Sequence, residues 1–272
     1  MNTLPDPDSH SALKPDVAAH NRMVWDRYVA EQNRWTVPVS GEQIRQARTD
    51  LPKVLLTPVK FAPHNWFPEL NGCRVLGLAA AGGQQGPLLA AAGAAVTIFD
   101  NSENQLRQDR RLSDKYGLGI KTIQGDMADL SALPDAWFDL IFNPCSVVFT
   151  EDVNKVWQQC FRVLKPGGVL MAGMVNPVIF QFEPEGPPFK LTYPQPYSDL
   201  KSLSHEKLNA LLLAQETLEF GHSLTDQIGG QLKAGFVITD FYEDDRGGEK
   251  ALDTYLPSFF ATRAVRKMAA GI

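Results

Sequence analysis

The run Val75-Leu76-Gly77-Leu78-Ala79-Ala80-Ala81-Gly82-Gly83-Gln84-Gln85-Gly86 decides the fold. It opens as a short apolar strand, turns on small residues and enters an Ala- and Leu-rich helix over 87–92. Small side chains let a backbone approach a ligand closely, and free N–H groups at a helix start favour an anionic group. A second apolar strand, 95–99, follows and ends in Asp100. An acid at that point can accept hydrogen bonds from both hydroxyls of a ribose. Strand, small-residue turn, helix, strand and acid together describe a nucleotide-type cofactor site. They do not name the cofactor. Ala81-x-Gly83-x-x-Gly86 is one substitution from the dinucleotide fingerprint, which is weak by itself.

The rhythm continues on the C-terminal side. Apolar strands are predicted over 74–78, 95–99, 120–124, 138–142 and 169–175. Ser102-x-x-Gln105 caps a helix that runs to Tyr116 and ends at Gly117-Leu118-Gly119. Val153, Val156, Trp157, Cys160, Phe161 and Leu164 form an inward helix face before a turn at Lys165-Pro166-Gly167-Gly168. Apolar strands separated by helices predict an α/β, Rossmann-like, doubly wound and mostly parallel sheet, with ligands at the carboxyl ends of the strands. Two closing strands, 236–242 and 258–265, flank an acidic, Gly-containing loop at 243–249 and suggest an antiparallel end. That makes seven strands.

Upstream, residues 1–16 read as a frayed tail with no apolar signal core. Residues 17–30 read as an amphipathic helix, and Ser40-x-x-Gln43 caps a short helix through Ala47. Pro52, Pro58, Pro63 and Pro68 then make an irregular approach to the first core strand. A proline-rich, aromatic-rich stretch at 176–204 breaks the rhythm and reads as a lid. A helix over 204–220 follows, and Ser223-x-x-Asp226 caps another that Gly235 ends. The expected organisation is one structural domain. It has a tail and covering helices (1–70), a cofactor-binding core (71–175 and 223–268) and a lid or substrate insertion (176–222).

Composition narrows the function. A chain of 272 residues with 44% hydrophobic and 21% charged residues is an ordinary globular one. A net charge of −5 argues against a nucleic-acid partner, which wants a basic face. No apolar run reaches the length of a membrane span. Cys73, Cys145 and Cys160 are isolated and cannot all pair, which points to a reduced, cytoplasmic setting. The five His show no metal-ligand spacing, so no metal is expected.

Four segments in order resemble class I S-adenosylmethionine-dependent methyltransferases, in particular the small-molecule "type 11" group. They are the turn at 79–83, Phe99-Asp100-Asn101-Ser102, Gln124-Gly125-Asp126-Met127, and Arg162-Val163-Leu164-Lys165-Pro166-Gly167-Gly168. Leu232-Lys233-Ala234-Gly235-Phe236 is also similar to the family's approach to its penultimate strand. The resemblance implies a methyltransferase of the EC 2.1.1 type that uses S-adenosyl-L-methionine and releases S-adenosyl-L-homocysteine. Ala79, Ala80, Ala81, Gly82 and Gly83 would lie along the methionine part, with Gln84 and Gln85 at the helix start. Asp100, with Asn101 and Gln105 nearby, would hold the ribose. Asp126 and Met127 would take the adenine, and Asn143 would lie beside the transferable methyl. The sequence departs from the family at Gly77, where an acid is usual, and at Ala79 and Ala81, where glycines are usual. Alanine in a left-handed conformation costs about 1 kcal/mol. Either the turn shifts toward Gly82-Gly83 or the cofactor pose differs.

Methyl transfer needs mainly alignment and desolvation, because the sulfonium is already activated. His222 is the candidate base, and Trp25, Tyr28, Cys145, Tyr193 and Tyr197 are candidates for the acceptor pocket. Trp25, Tyr28 and Trp35 could fold over the cofactor. The expected partner is a small-molecule acceptor, with no membrane, for a monomer or homodimer. Two alternatives stay open: a nicotinamide-dependent oxidoreductase, or a cofactor-binding protein without catalysis.

Overall fold

The computed structural model describes residues 15–183 and 186–268, so most of the expected tail, residues 1–14, lies outside the described residues. The core is a seven-stranded sheet. Its strands are β1 (Arg74–Leu78), β2 (Ala95–Asp100), β3 (Lys121–Gln124), β4 (Phe138–Asn143), β5 (Leu164–Val175), β6 (Phe236–Asp244) and β7 (Phe259–Arg266). The spatial order is β3-β2-β1-β4-β5-β7-β6. The first five strands pair in parallel, and β7 runs antiparallel to both β5 and β6. Successive residues of a strand point to opposite faces. Val75, Ile98, Leu140 and Phe142 accordingly join one apolar cluster, and Leu76, Phe99, Ile141 and Leu170 join the other.

The strand order changes direction between β1 and β4, and a ligand crevice opens at such a point. Helix α1 (Val17–Ala30), capped by Asp16, lies across this end. The short helix α2 (Gly41–Gln46) has the expected capping box, Ser40 with Gln43. Helices α3 (Gln85–Ala91), α4 (Glu103–Tyr116) and α5 (Val153–Val163) follow β1, β2 and β4. Asp26 of α1 accepts from Ser102 Oγ (2.6 Å) and Asn104 N–H (3.0 Å), so α1 sits on the α4 N-terminus with a carboxylate at its positive end. Asn21 donates to the carbonyls of Phe149 and Leu218 and accepts from Leu218 N–H, which joins α1 to the loop after β4 and to the insertion.

Three expectations are corrected. Lys165-Pro166-Gly167-Gly168 is not a turn ahead of a strand. It is a bulge within β5: Leu164 pairs with Phe138 and Val169 with Leu140, leaving the four residues opposite Asp139. A Cβ at Gly168 would lie 2.8 Å from the Lys165 carbonyl, so the bulge requires glycine there. The helix read over 204–220 is only α7 (His205–Leu213), preceded by the one-turn α6 (Asp199–Ser202). Gln215 takes a positive φ of 54°, and Leu218 and Phe220 turn inward to a small cluster with Val17. Burial of those side chains outweighs helical propensity. Phe220–Gly221 pairs instead with Tyr197–Ser198 as a two-residue ribbon. Finally, the segment that Ser223 and Asp226 cap starts as a π-turn (Thr225–Gly229) before α8 (Gly230–Ala234), which Gly235 ends at φ 110°.

Candidate active site

A cavity of about 1,070 Å³ opens over the carboxyl ends of β1, β2 and β4. Ala79, Ala80, Ala81, Gln84, Asp100, Asn101, Gln105, Asp126 and Met127 line it, as do Trp25, Trp35 and Cys145. The structure thus brings together most of the residues that the sequence nominated.

The turn after β1 resolves the departures from the family. Ala79 adopts φ 45°, Gly82 φ 102° and Gly83 φ 73°. The shift to Gly82-Gly83 occurs, and Ala79 still takes a left-handed conformation. At Gly77 a Cβ would lie 2.5 Å from Ile98 Cδ1, so the neighbouring strand fills the space an acid would need. An acid reaches the turn from elsewhere. Asp109 of α4 accepts from Gly82 N–H (2.9 Å) and Gly83 N–H (3.1 Å). Burial pushes its carboxyl up to about 7, against the opposing pull of these two bonds. Gly82 and Gly83 are therefore not among the cavity-lining residues, and their N–H groups are already committed. Sequence reading missed Asp109, although it lies in the buried stripe of α4 with Gln105, Leu106 and Ser113.

Asp100 accepts from Ala81 N–H (3.2 Å) and Ser102 N–H (2.9 Å) while facing the cavity. Burial raises its carboxyl to about 6, opposed by those bonds. Gln105 Oε1 is buried without a partner among the described residues, and a Cβ at Gly82 would come within 2.6 Å of it. Gly125 packs on the Phe99 ring, where a Cβ would lie 2.3 Å from Cζ, so the chain after β3 can close this end only with glycine. Asp126 takes Ala128 N–H (2.9 Å) and faces the cavity beside Met127. Asn101 donates to the Ala18 carbonyl (2.6 Å), and Gln84 donates to the carbonyls of Arg34 and Val37. These two side chains fasten the covering segments to the sheet.

Other candidates lie elsewhere. Asn143 is buried outside the cavity lining, and its Nδ2 donates to the Leu78 carbonyl (2.8 Å) and Ser146 Oγ (2.6 Å). It ties β1 to the loop after β4, and its Oδ1 is buried without a partner among the described residues. His222 is not in the lining either. Its Nε2 meets the Val147 carbonyl (3.1 Å), and burial lowers its pKa. Tyr28 donates to Glu216 (2.7 Å), Tyr193 accepts from Lys207 (3.0 Å), and Tyr197 donates to Asp199 (2.6 Å) while stacking on Phe180. All three tyrosines brace the insertion and lie outside the lining. Cys145 does line the cavity, at φ 43°, with Sγ 3.6 Å from the Leu56 carbonyl. Burial pushes its thiol well above the ordinary range, so it is no thiolate nucleophile. Among the described residues no group of His, Cys, Asp and Glu could hold a metal ion.

A parallel sheet with one reversed strand, a small-residue turn after β1 and an acid after β2 define a class of protein. The methyltransferase domain family matches residues 76–172. A protein of Bacillus subtilis (strain 168) described as the uncharacterized methyltransferase YbaJ is 47% identical over 253 residues, 92% of this chain and 98% of its own. The chain belongs to the methyltransferase family, and its fold is that of solved S-adenosylmethionine-dependent methyltransferases. Two solved structures share the fold. An S-adenosylmethionine-dependent methyltransferase of Mesorhizobium loti has a TM-score of 0.60 at 20% identity, covering 74% of this chain and 94% of its own. One described as a putative S-adenosylmethionine-dependent methyltransferase, from Listeria monocytogenes, has a TM-score of 0.61 at 18% identity, covering 75% and 95%. Nothing in these likenesses supports the nicotinamide reading. No helix among the described residues is long and apolar enough to cross a membrane.

Proposed function

We propose that the chain binds S-adenosylmethionine in this cavity and directs its methyl group to a small-molecule acceptor. The observation that carries the reading is the Asp100 carboxylate, buried at the end of β2 yet facing the cavity, with Gln105 in the same lining and its side-chain oxygen without a partner among the described residues. A ribose would supply donors to both. The backbone at 79–81 would border the methionine part, and Asp126 with Met127 would take the adenine amino group and ring. When bound, the cofactor supplies a methyl group already activated by its sulfonium. The contribution of the chain to a direct, in-line transfer is then alignment and exclusion of water. Trp25 and Trp35 from the N-terminal segment, and Ile179 and Phe180 from the insertion, wall the cavity. These placements support reading 1–70 and 176–222 as covers over a core of 71–175 and 223–268. His222 is given no part in the transfer. Free Cys73, Cys145 and Cys160 support a reduced, cytoplasmic setting.

Calorimetric titration with S-adenosylmethionine, S-adenosylhomocysteine and NAD(H) tests the cofactor. Saturable binding of the first two, with none of NAD(H), is expected. Binding of NAD(H) alone would overturn the reading.

A further inference from the structure

Charge is divided between the two ends of the cavity. The walls from the start of α1, from β2 and from the loop after β3 carry Asp16, Asp100 and Asp126 and no cation. The opposite end is built from residues 53–61 and from the loop after β6. These two segments are bound together: Val59 and Lys60 N–H both donate to the Asp244 carboxylate (3.2 and 3.0 Å), and Thr57 Oγ1 meets Tyr242 Oη (3.2 Å). This end presents Lys53, Arg246 and Lys250 to the cavity, and none of the three forms an ion pair among the described residues. Glu249, from the same loop, is consumed by Arg34. Three other acids face the cavity: Glu151 and Asp152, which stand with Lys155 at the start of α5, and Glu219, which burial and the nearby Asp199 charge push up to about 7.

Arg246 is the best placed of the three cations. Its guanidinium lies 4.8 Å from the centre of the Phe259 ring, and Phe259 pairs with Val175 at the carboxyl end of β5. Its field is felt by both Cys145, after β4, and Glu219. A half-buried guanidinium, held over a ring and with no hydrogen-bond partner among the described residues, is set to receive a planar oxyanion. Beside it, Val59 and Phe61 line the cavity with 46% and 50% of their surface exposed, which leaves apolar area for a ligand to cover.

We propose that the methyl acceptor is an organic anion: an apolar body carrying a carboxylate that Arg246 holds at the end of the cavity away from Asp100. This inference rests on the methyltransferase reading of the same site.

The test uses the whole chain saturated with S-adenosylhomocysteine. The probes are 3-phenylpropanoate and octanoate, each titrated against its carboxamide, which keeps the shape and removes the charge. The acids are expected to bind at least tenfold tighter than the amides. Arg246→Gln should abolish that preference and Arg246→Lys should retain part of it, both with unchanged affinity for S-adenosylhomocysteine. Equal binding of acid and amide, binding of neither, or a preference that survives Arg246→Gln would overturn the proposal. The comparison is repeated without S-adenosylhomocysteine. A chain that ignores S-adenosylhomocysteine but keeps an Arg246-dependent acid preference would sink the cofactor assignment and leave this one standing.

Discussion

At the Asp100 end of the cavity the main anchors are bonds between side chains and backbone. Asp109 holds Gly82 and Gly83, Asp100 holds Ala81 and Ser102, and Asp126 holds Ala128. At the Arg246 end the polar groups are long side chains on loops, and the strongest fixed contact of Arg246 is an aromatic face. The first end is a property of the sheet and changes little without breaking the fold. The second end can be refurnished by substitution. Such a division lets one cofactor site serve many acceptors.

The largest effect should come from restoring the usual acid of the family. Gly77→Asp forces a side chain into Ile98 and adds a buried charge with no partner, and should cost about 3–5 kcal/mol of stability. Thermal unfolding should fall by roughly 10 °C; an unchanged melt would mean that Ile98 yields that space without cost. Asp100→Ala should weaken S-adenosylhomocysteine by about 1.5–3 kcal/mol, roughly 10- to 150-fold, while the carboxylate probes keep their preference. If both ends lose binding together, the separation drawn here is wrong.

The third prediction concerns pH. Asp100, Asp109 and Glu219 have carboxyls raised in the folded state to about 6, 7 and 7. The folded chain therefore holds these protons more tightly than the unfolded one. The stability they confer is complete below about pH 4 and is lost as pH rises through about 6–7. Melting temperature should decline over that window. Asp109→Asn and Glu219→Gln should each flatten the decline, and the larger flattening identifies the end with the costlier buried charge. The smallest effect is expected from Ala79→Gly, which relieves the left-handed alanine and should stabilise by about 0.5 kcal/mol after the extra entropy of glycine is deducted.

The same contrast explains what was legible in the sequence. Residues 74–78, 95–99 and 138–142 were readable as strands because both faces are buried and the apolar runs are continuous. The cofactor-end residues follow those strands directly, so chain order finds them. Asp109 was hidden among the charges of α4, and only its place in the inward stripe marks it. The helix over 204–220 was overdrawn because Asn21, nearly 200 residues away in sequence, claims the Leu218 backbone. Tyr28, Tyr193, Tyr197 and His222 were nominated for their chemistry, and their polar atoms turn out to be spent on bracing contacts. Arg246 belongs to an acidic, Gly-containing loop, and nothing local distinguishes it from a solvated charge. Its significance arises only when residues 53–61 pack against the end of β6.

Asn21 carries one further consequence. Its amide engages the Phe149 carbonyl and both backbone groups of Leu218, so the α1 cover, the loop after β4 and the insertion share one fastening. Separating α1 from the other two breaks these bonds together with those of His20 to the Glu216 carbonyl, Arg27 to the Gln215 carbonyl and Tyr28 to the Glu216 carboxylate. Admission to the cavity by that route is consequently expected to be an all-or-none event. The exchange of the Leu218 amide hydrogen with solvent is then a clock for how often the doorway opens.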